Sequence, residues 1–94
     1  MLETATLFET EHGQRYAGQL CKHFAHKIEV VPSEEGGECR FSCGTAALRA
    51  EAGGLRIRVS APTAEGLAET KAVIESHLLR FAFREGERRL DWSA

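Results

Sequence analysis

Residues 38–61 read ECRFSCGTAALRAEAGGLRIRVSA, and apolar and polar residues alternate through three short segments of this stretch. Strict alternation is typical of β-strands that bury one face and expose the other to solvent. The three predicted strands are residues 38–43, 46–52 and 55–61. Two-residue loops at Gly44-Thr45 and Gly53-Gly54 would join them, because glycine suits the tight turns of hairpins. The stretch therefore predicts a three-stranded antiparallel meander with one face on the core.

The positions of these loops predict which residues lie opposite each other. A loop at residues 53–54 pairs Arg49 with Arg58, and a loop at residues 44–45 pairs Arg40 with Arg49. We therefore expect Arg40, Arg49 and Arg58 side by side in one row on the exposed face. The adjacent row is predicted to hold Glu38, Glu51 and Arg56. Directly opposed like charges destabilise a sheet by up to ~1 kcal/mol per pair, so the arginine row requires compensation.

Two interpretations of this row stay open. The carboxylates of the adjacent row lie within diagonal reach, which would make the face a ladder of solvated ion pairs. Alternatively, Arg40, Arg49 and Arg58 form a site for an anion or an acidic partner, since planar guanidinium groups suit phosphate and carboxylate. A one-residue change in either loop would abolish the row, so both interpretations depend on the predicted register.

The flanking segments extend the meander to an α+β domain. Apolar residues recur at helical spacing after Thr10 and again after Thr63, and both threonines are suitable N-caps. The predicted helices are residues 11–27 and 64–83, and the further strands are residues 3–10, 27–31 and 88–92. The order is then β-α-β-β-β-β-α-β in a single domain, residues 1–94. We expect two layers, a mainly antiparallel sheet with both helices on one face, because this arrangement buries every apolar stripe.

Composition narrows the class of protein. The 94 residues suit one domain, and the formal net charge is only −2. So small a charge gives no basic field for nucleic acid or an anionic membrane, and we expect neither as a partner. No stretch approaches the ~20 apolar residues of a membrane span, and residues 1–10 lack the pattern of a signal peptide. Three cysteines without a secretory signal favour reduced thiols, so we expect a cytoplasmic protein.

Histidines on the two predicted helices are candidates for a metal or catalytic role. His23 and His26 have the i, i+3 spacing that can share a metal ion, although an exposed pair without metal is the simpler interpretation. His77 lies on the corresponding flank of the second helix and is expected to be half-buried. Antiparallel helices would place His23 and His77 at opposite ends of the pair, and parallel helices would turn both flanks the same way. We therefore expect no contact between them and no metal site.

The cysteines are expected to be buried, unreactive thiols. Cys39 and Cys43 lie four residues apart on one predicted strand, about 13 Å, which is too far for a disulfide. Both point to the predicted core, where a thiol behaves as a small apolar group. Cys21 lies beside the apolar stripe of the first helix.

Three parts of the chain resemble a known bacterial family. RYAGQLCKHFAHKIEV (residues 15–30), the glycine-punctuated meander, and HLLRFAFRE (residues 77–85) followed by LDW are similar to the family called domain of unknown function 2218. The resemblance covers nearly the whole chain. It implies an α+β fold like that of the TATA-binding protein and of the C-terminal domain of phosphohexomutases. It also implies a link to iron or redox physiology, because some members are fused to siderophore-interacting flavin reductases, but it assigns no catalytic residue.

These observations favour a binding or accessory module over an enzyme. None of the common nucleotide-binding or hydrolase motifs occurs, and no cofactor is predicted. The resemblance makes a flavin-dependent siderophore reductase the expected partner, engaged through the polar sheet face or the cleft beside the helices. One alternative is a small enzyme that uses His77 or His23 as an acid or base near an arginine-lined anion site. Another is a homo-oligomer, such as a homodimer formed through the exposed sheet face.

Overall fold

Five β-strands, two α-helices and a short 3₁₀ helix make up the computed structural model, which describes residues 1–93. In chain order they are β1 (Leu2–Glu9), α1 (Gly13–Phe24), β2 (Glu29–Ser33), β3 (Gly36–Arg40), β4 (Thr45–Glu51), β5 (Gly54–Ala61), α2 (Ala64–Phe81) and the 3₁₀ helix Phe83–Glu85. The strands form one antiparallel sheet in the order β1-β5-β4-β3-β2. Neither helix within residues 1–93 has the length and hydrophobicity that crossing a membrane requires.

Both helices pack on one face of the sheet, as predicted. α1 lies over β3, β4 and β5, whereas α2 lies over β5 and β1 and also touches α1. The largest fully buried side chains between the layers include Phe8, Leu20, Leu55, Ile57, Ile74 and Leu78. Each such side chain contributes roughly 1.5–3 kcal/mol when it is removed from water, so this layer of contacts is the main source of stability. The predicted two-layer α+β fold is confirmed.

The predicted last strand, residues 88–92, is wrong as a strand. The end of the chain lies beside β1, where the Ser93 N–H donates to the Ala5 carbonyl oxygen at 2.8 Å. A regular ladder does not form, because threonine hydroxyls of β1 take the carbonyl groups of this segment. The Thr6 hydroxyl, for example, donates to the Asp91 carbonyl oxygen at 2.8 Å. The segment still covers the edge of the sheet, which is otherwise a site for unwanted strand pairing.

The register between β4 and β5 differs from the predicted one. Arg49 lies opposite Arg56 and not Arg58, because the loop is Ala52-Gly53 and Gly54 already belongs to β5. Gly53 has a φ of 90°, a left-handed conformation that glycine adopts without strain. Gly54 instead pairs within the sheet, where an added Cβ would stand 2.7 Å from the Phe8 carbonyl oxygen.

The loop between β3 and β4 is longer than predicted. β3 ends at Arg40, which lies opposite Thr45, and residues 41–44 form the loop. Phe41 leaves the strand because its ring packs on that of Phe24, with centroids 5.0 Å apart. Gly44 is buried where an added Cβ would stand 2.5 Å from the Thr70 hydroxyl. The prediction of one arginine row is therefore wrong, although the residues that remain in the strands face the core or the solvent as predicted.

The two predicted N-caps have different outcomes. Thr63 caps α2 as predicted, since its hydroxyl accepts a hydrogen bond from the Gly66 N–H at 3.0 Å. The N-cap of α1 is His12, which makes no side-chain cap bond, so the prediction for Thr10 is wrong. The Thr10 hydroxyl instead accepts from the His12 N–H and donates to the Glu85 carboxylate at 2.6 Å. Thr10 thereby ties the start of α1 to the 3₁₀ helix.

Candidate functional site: the exposed sheet face and a histidine pair

The sheet face turned away from the helices, called the exposed sheet face below, carries its arginines in three successive rows. From β2 to β1 the rows hold Glu29, Arg40, Thr45, Ser60 and Glu3; Val31, Glu38, Ala47, Arg58 and Ala5; and Ser33, Gly36, Arg49, Arg56 and Leu7. The three predicted site residues Arg40, Arg49 and Arg58 thus lie in different rows. The like charges that stand directly opposite each other are Arg49 and Arg56.

Carboxylates pair with most of these arginines. The pairs are Arg40 with Glu38 and Glu29, Arg49 with Glu35, and Arg56 with Glu51, at N–O distances of 2.6, 3.3, 3.1 and 3.3 Å. Hydrogen bonds to Glu38 and then Glu29 raise the pKa of Arg40. Within residues 1–93, Arg58 has no carboxylate at ion-pair distance. The geometry therefore matches the ion-pair ladder, the first of the two interpretations.

A broad depression brings two of the predicted site residues together. It measures about 640 Å³ and is lined by Arg40 and Arg49, by three carboxylates and by apolar groups such as Val31. That volume falls in the range of small-molecule sites. Arg58 lines a separate depression with Glu3 and Ser93. Since the carboxylates Glu34, Glu35 and Glu38 share the larger depression with the two arginines, it offers no net positive charge, and the anion site stays a prediction.

Apolar side chains on the exposed sheet face were not singled out from the sequence. Leu7 and Val31 are 40% and 42% exposed, and Ala5 and Ala47 are half-buried between them. The signal that could have found Leu7 is the alternation in β1, where Thr6 and Phe8 face the core. Period two then places Leu7 on the opposite face.

The predicted separation of His23 and His77 is wrong, because their ring centroids lie 4.9 Å apart. The helices run antiparallel: α1 begins beside the start of β5, whereas α2 begins beside the loop that joins β3 and β4. Both histidines lie in the second half of their helix, so their contact requires the helices to be offset along their axes. The prediction assumed helices that lie level with each other.

Aromatic rings and one backbone carbonyl fix this histidine pair. The Phe24 ring lies 4.9 Å from that of His77, and the Phe81 ring lies 5.9 Å from that of His23. His77 is half-buried, as expected, and its Nδ1 lies 2.8 Å from the Val73 carbonyl oxygen. A carbonyl only accepts, so Nδ1 carries a proton and Nε2 is the free ring nitrogen.

Positive groups surround His23. Partial desolvation, followed by repulsion from His77, Lys27, Arg80 and His26, lowers the pKa of His23. His26 lines a depression together with His23, yet residues 1–93 contain no group of three or more metal-ligating side chains placed to hold an ion. The histidine pair lies on the helix side of the sheet, and the depression lined by Arg40 and Arg49 lies on the other. The acid–base alternative, which needs both in one pocket, is therefore not favoured by the geometry.

The three cysteines are free thiols, and two of them are buried as predicted. Cys21 and Cys39 are 9% and 0% exposed. A hydrogen bond from the Cys39 thiol lowers the pKa of Cys21 to about 7, whereas the same bond and then burial raise the pKa of Cys39. Cys43 is only half-buried, and its Sγ lies 3.2 Å from the Thr70 hydroxyl.

Comparisons with known proteins agree with this fold. A family model described as "Uncharacterized protein conserved in bacteria", domain of unknown function 2218, matches residues 5–93. Among solved structures, the chain is similar to the NMR structure of PA4090 from Pseudomonas aeruginosa, at 30% sequence identity and a TM-score of 0.84. That similarity covers 99% of this chain and 96% of the other, and it confirms the fold class. No curated protein matches the chain.

Proposed function

The chain belongs to the bacterial family domain of unknown function 2218, and we propose that it is a small binding module that docks a protein partner on its exposed sheet face. The observation that carries this proposal is the directly opposed pair Arg49 and Arg56, which Leu7 adjoins in the same row. The partner surface that fits is an acidic patch with apolar margins.

The opposed arginines favour an acidic partner. Two like charges directly opposite each other cost up to ~1 kcal/mol, and their carboxylate partners Glu35 and Glu51 are themselves exposed. Exposed ion pairs contribute only about 0–1 kcal/mol each, so a partner's carboxylates can replace them at little cost. A carboxylate placed between Arg49 and Arg56 would also remove their repulsion. Arginine is enriched among residues that dominate binding energy at interfaces.

Exposed apolar side chains lie at the margins of the same face. Leu7 lies on β1 and Val31 on β2, at opposite edges of the five-stranded sheet, roughly 19 Å apart at ordinary strand spacing. Each is about two-fifths exposed and would be covered by a partner that spans the sheet. A five-stranded face offers roughly 500 Å² of surface. That area lies below the ~800 Å² per partner of a standard complex, so we expect a transient complex.

A flavin-dependent siderophore reductase is the first partner to test. The support is the family resemblance, which implies an association with such reductases. The structural requirement on any partner is the same: acidic groups that reach Arg49 and Arg56. Binding of the purified reductase to this chain can be measured directly by isothermal titration calorimetry.

The test uses photo-crosslinking in bacterial cells. A photoreactive residue replaces Leu7 on the exposed sheet face or, as the control, Arg15 on the exposed side of α1. We expect a heterologous protein to be crosslinked from the Leu7 position only, and the double variant Arg49→Glu and Arg56→Glu to reduce the yield at least about tenfold, an effect of ~1.4 kcal/mol or more. The matched charge reversal Arg15→Glu should leave the yield unchanged.

Three results would overturn the proposal. The first is the absence of an adduct from the Leu7 position, and the second is a yield that the Arg49 and Arg56 reversals do not change. The third is an adduct with a second copy of this chain, together with a dimer in light scattering. That result would assign the face to the homodimer alternative.

A further inference from the structure

Basic side chains from both helices and from the turn that follows α1 gather around His23. These groups, called the histidine cluster below, are Lys22, His23, His26, Lys27, His77 and Arg80. In contrast to Arg40, Arg49 and Arg56 on the sheet, none of the six has a carboxylate at ion-pair distance within residues 1–93. The cluster therefore presents a local positive surface on a chain whose net charge is negative.

The surface at this point is concave and has more than one kind of donor. A depression of about 370 Å³ is lined by Gln19, Lys22, His23, His26 and Phe81. Gln19 adds a neutral amide to the cationic donors, and the Phe81 ring provides an apolar wall. The His77 ring lies 4.9 Å from that of His23, and the Val73 carbonyl engages its Nδ1 and leaves its Nε2 free.

We infer that the histidine cluster binds a small oxyanion of at least two negative charges, and that binding is coupled to proton uptake by His23. The ligand chemistry follows from the donors. Lysine and arginine supply permanent positive charge, and the histidines supply charge that depends on pH. An oxyanion offers several acceptor atoms to donors that come from α1, the turn after it and α2.

The coupling has a direct electrostatic cause. In the free protein, desolvation and then the charges of His77, Lys27, Arg80 and His26 oppose protonation of His23 and lower its pKa. A bound oxyanion offsets that repulsion and so favours the protonated ring. By linkage, a ligand that favours the protonated form of His23 binds more tightly at low pH, where more of His23 is protonated. Affinity for the oxyanion is therefore expected to fall as the pH rises.

This inference does not depend on the proposed docking function. The histidine cluster lies on the helix side of the molecule, and Arg49 and Arg56 lie on the opposite side of the sheet. The two proposals can fail separately, because each is tested with substitutions on its own side.

The test uses inorganic sulfate, whose charge is constant between pH 5.5 and 7.5. We expect sulfate to shift the ring resonances of His23 in NMR spectra and to raise the pKa of His23. Linkage of one proton gives a slope of up to tenfold per pH unit, so Kd at pH 7.5 should exceed Kd at pH 5.5 by about tenfold or more. Acetate, with one charge, should bind at least about tenfold more weakly than sulfate at pH 5.5.

Three variants separate the contributions. His23→Gln should weaken sulfate binding at pH 5.5 at least about tenfold and make Kd depend less on pH than it does in wild type, because His26 and His77 remain in the cluster. Arg80→Gln should weaken binding by a similar factor at both pH values, since a guanidinium stays charged throughout. His12→Gln is the matched control, because His12 is an exposed histidine at the start of α1, away from the cluster, and it should bind as wild type does. Unmoved His23 resonances, equal affinity at the two pH values, or wild-type binding by His23→Gln would each overturn the inference.

Discussion

At the scale of single residues, the Cys21 thiol departs most from the behaviour of a buried cysteine. It is almost covered, yet its hydrogen bond with Cys39 favours the thiolate and lowers the pKa of Cys21 to about 7. The sulfur sits beside Gly37, where an added Cβ would stand 2.9 Å from it. The sequence indicated that Cys21 would be buried, but the bond to Cys39 depends on how α1 lies over β3. Periodicity within either element contains no information on that contact.

This bond predicts the pH dependence of alkylation at Cys21. With Cys43→Ser as background, the rate of Cys21 modification by iodoacetamide should rise with a midpoint near pH 7. Cys39→Ala removes the hydrogen bond, so the pKa of Cys21 should move toward its ordinary value of 9.0. The rate at pH 7 should then fall by up to about 50-fold, the drop in thiolate fraction. Peptide mass spectrometry gives the rates, and identical midpoints with and without Cys39 would contradict the prediction.

At the scale of elements, the sequence determines which faces of β4 and β5 are buried but leaves their register open. The partner of Arg49 is displaced by two residues, from Arg58 to Arg56, and the partner of Arg40 by four, from Arg49 to Thr45. Even shifts keep the side chains that remain in the strands on their predicted faces, because the period of a strand is two. The loop positions decide the register, and these depend on tertiary contacts such as the packing of Phe41 on Phe24.

Alanine substitutions at two glycines test the assignment of α1 and of the loop between β4 and β5. At Gly18, in the middle of α1, and at Gly53, in the hairpin loop, an added Cβ would meet no atom within 4 Å apart from the adjoining backbone. They differ only in backbone, because Gly53 has a φ of 90°. Gly18→Ala should raise the free energy of unfolding by about 1 kcal/mol, and Gly53→Ala should lower it by about 1–2 kcal/mol. Urea denaturation measures both, and a Gly53→Ala protein as stable as wild type would contradict the assigned loop.

At the scale of the whole molecule, a net charge of −2 conceals two surfaces of different character. The exposed sheet face pairs Arg40, Arg49 and Arg56 with carboxylates, whereas the histidine cluster has no such partners within residues 1–93. Composition correctly indicates the absence of a global basic field but is silent about a local one. The histidine cluster could not be predicted from the sequence, because it depends on how far α1 and α2 are offset along their axes. Helical periodicity sets the flank on which a side chain lies and leaves the position along a neighbouring helix undetermined.

Two titrating groups connect these local environments to global stability. The pKa of His23 is lowered in the folded chain, so the unfolded chain binds a proton at this histidine more readily. The contribution of neutral His23 to the free energy of unfolding is therefore present above about pH 6.5 and is lost as the pH falls. Burial alone would raise the pKa of Glu85, but hydrogen bonds from Thr10 and Tyr16, together with the charge of Arg88, outweigh burial and lower it. Its contribution is present above about pH 4.5 and is lost at more acidic pH.

Wild-type protein should therefore lose thermal stability in two separate steps as the pH is lowered from 8 to 3 in a sulfate-free buffer. His23→Gln removes the group that titrates in the upper step, so its Tm should change less than that of wild type between pH 7.5 and 5.5. Thr10→Ala removes a hydrogen bond to Glu85, which should lower Tm at neutral pH by a few degrees, the effect of ~1 kcal/mol, and reduce the lower step only. Circular dichroism melts at each pH measure Tm, and between pH 7.5 and 5.5 His12→Gln is the control for the loss of an exposed histidine. Parallel curves for wild type and His23→Gln between pH 7.5 and 5.5 would show that repulsion within the histidine cluster does not act on the stability of the fold.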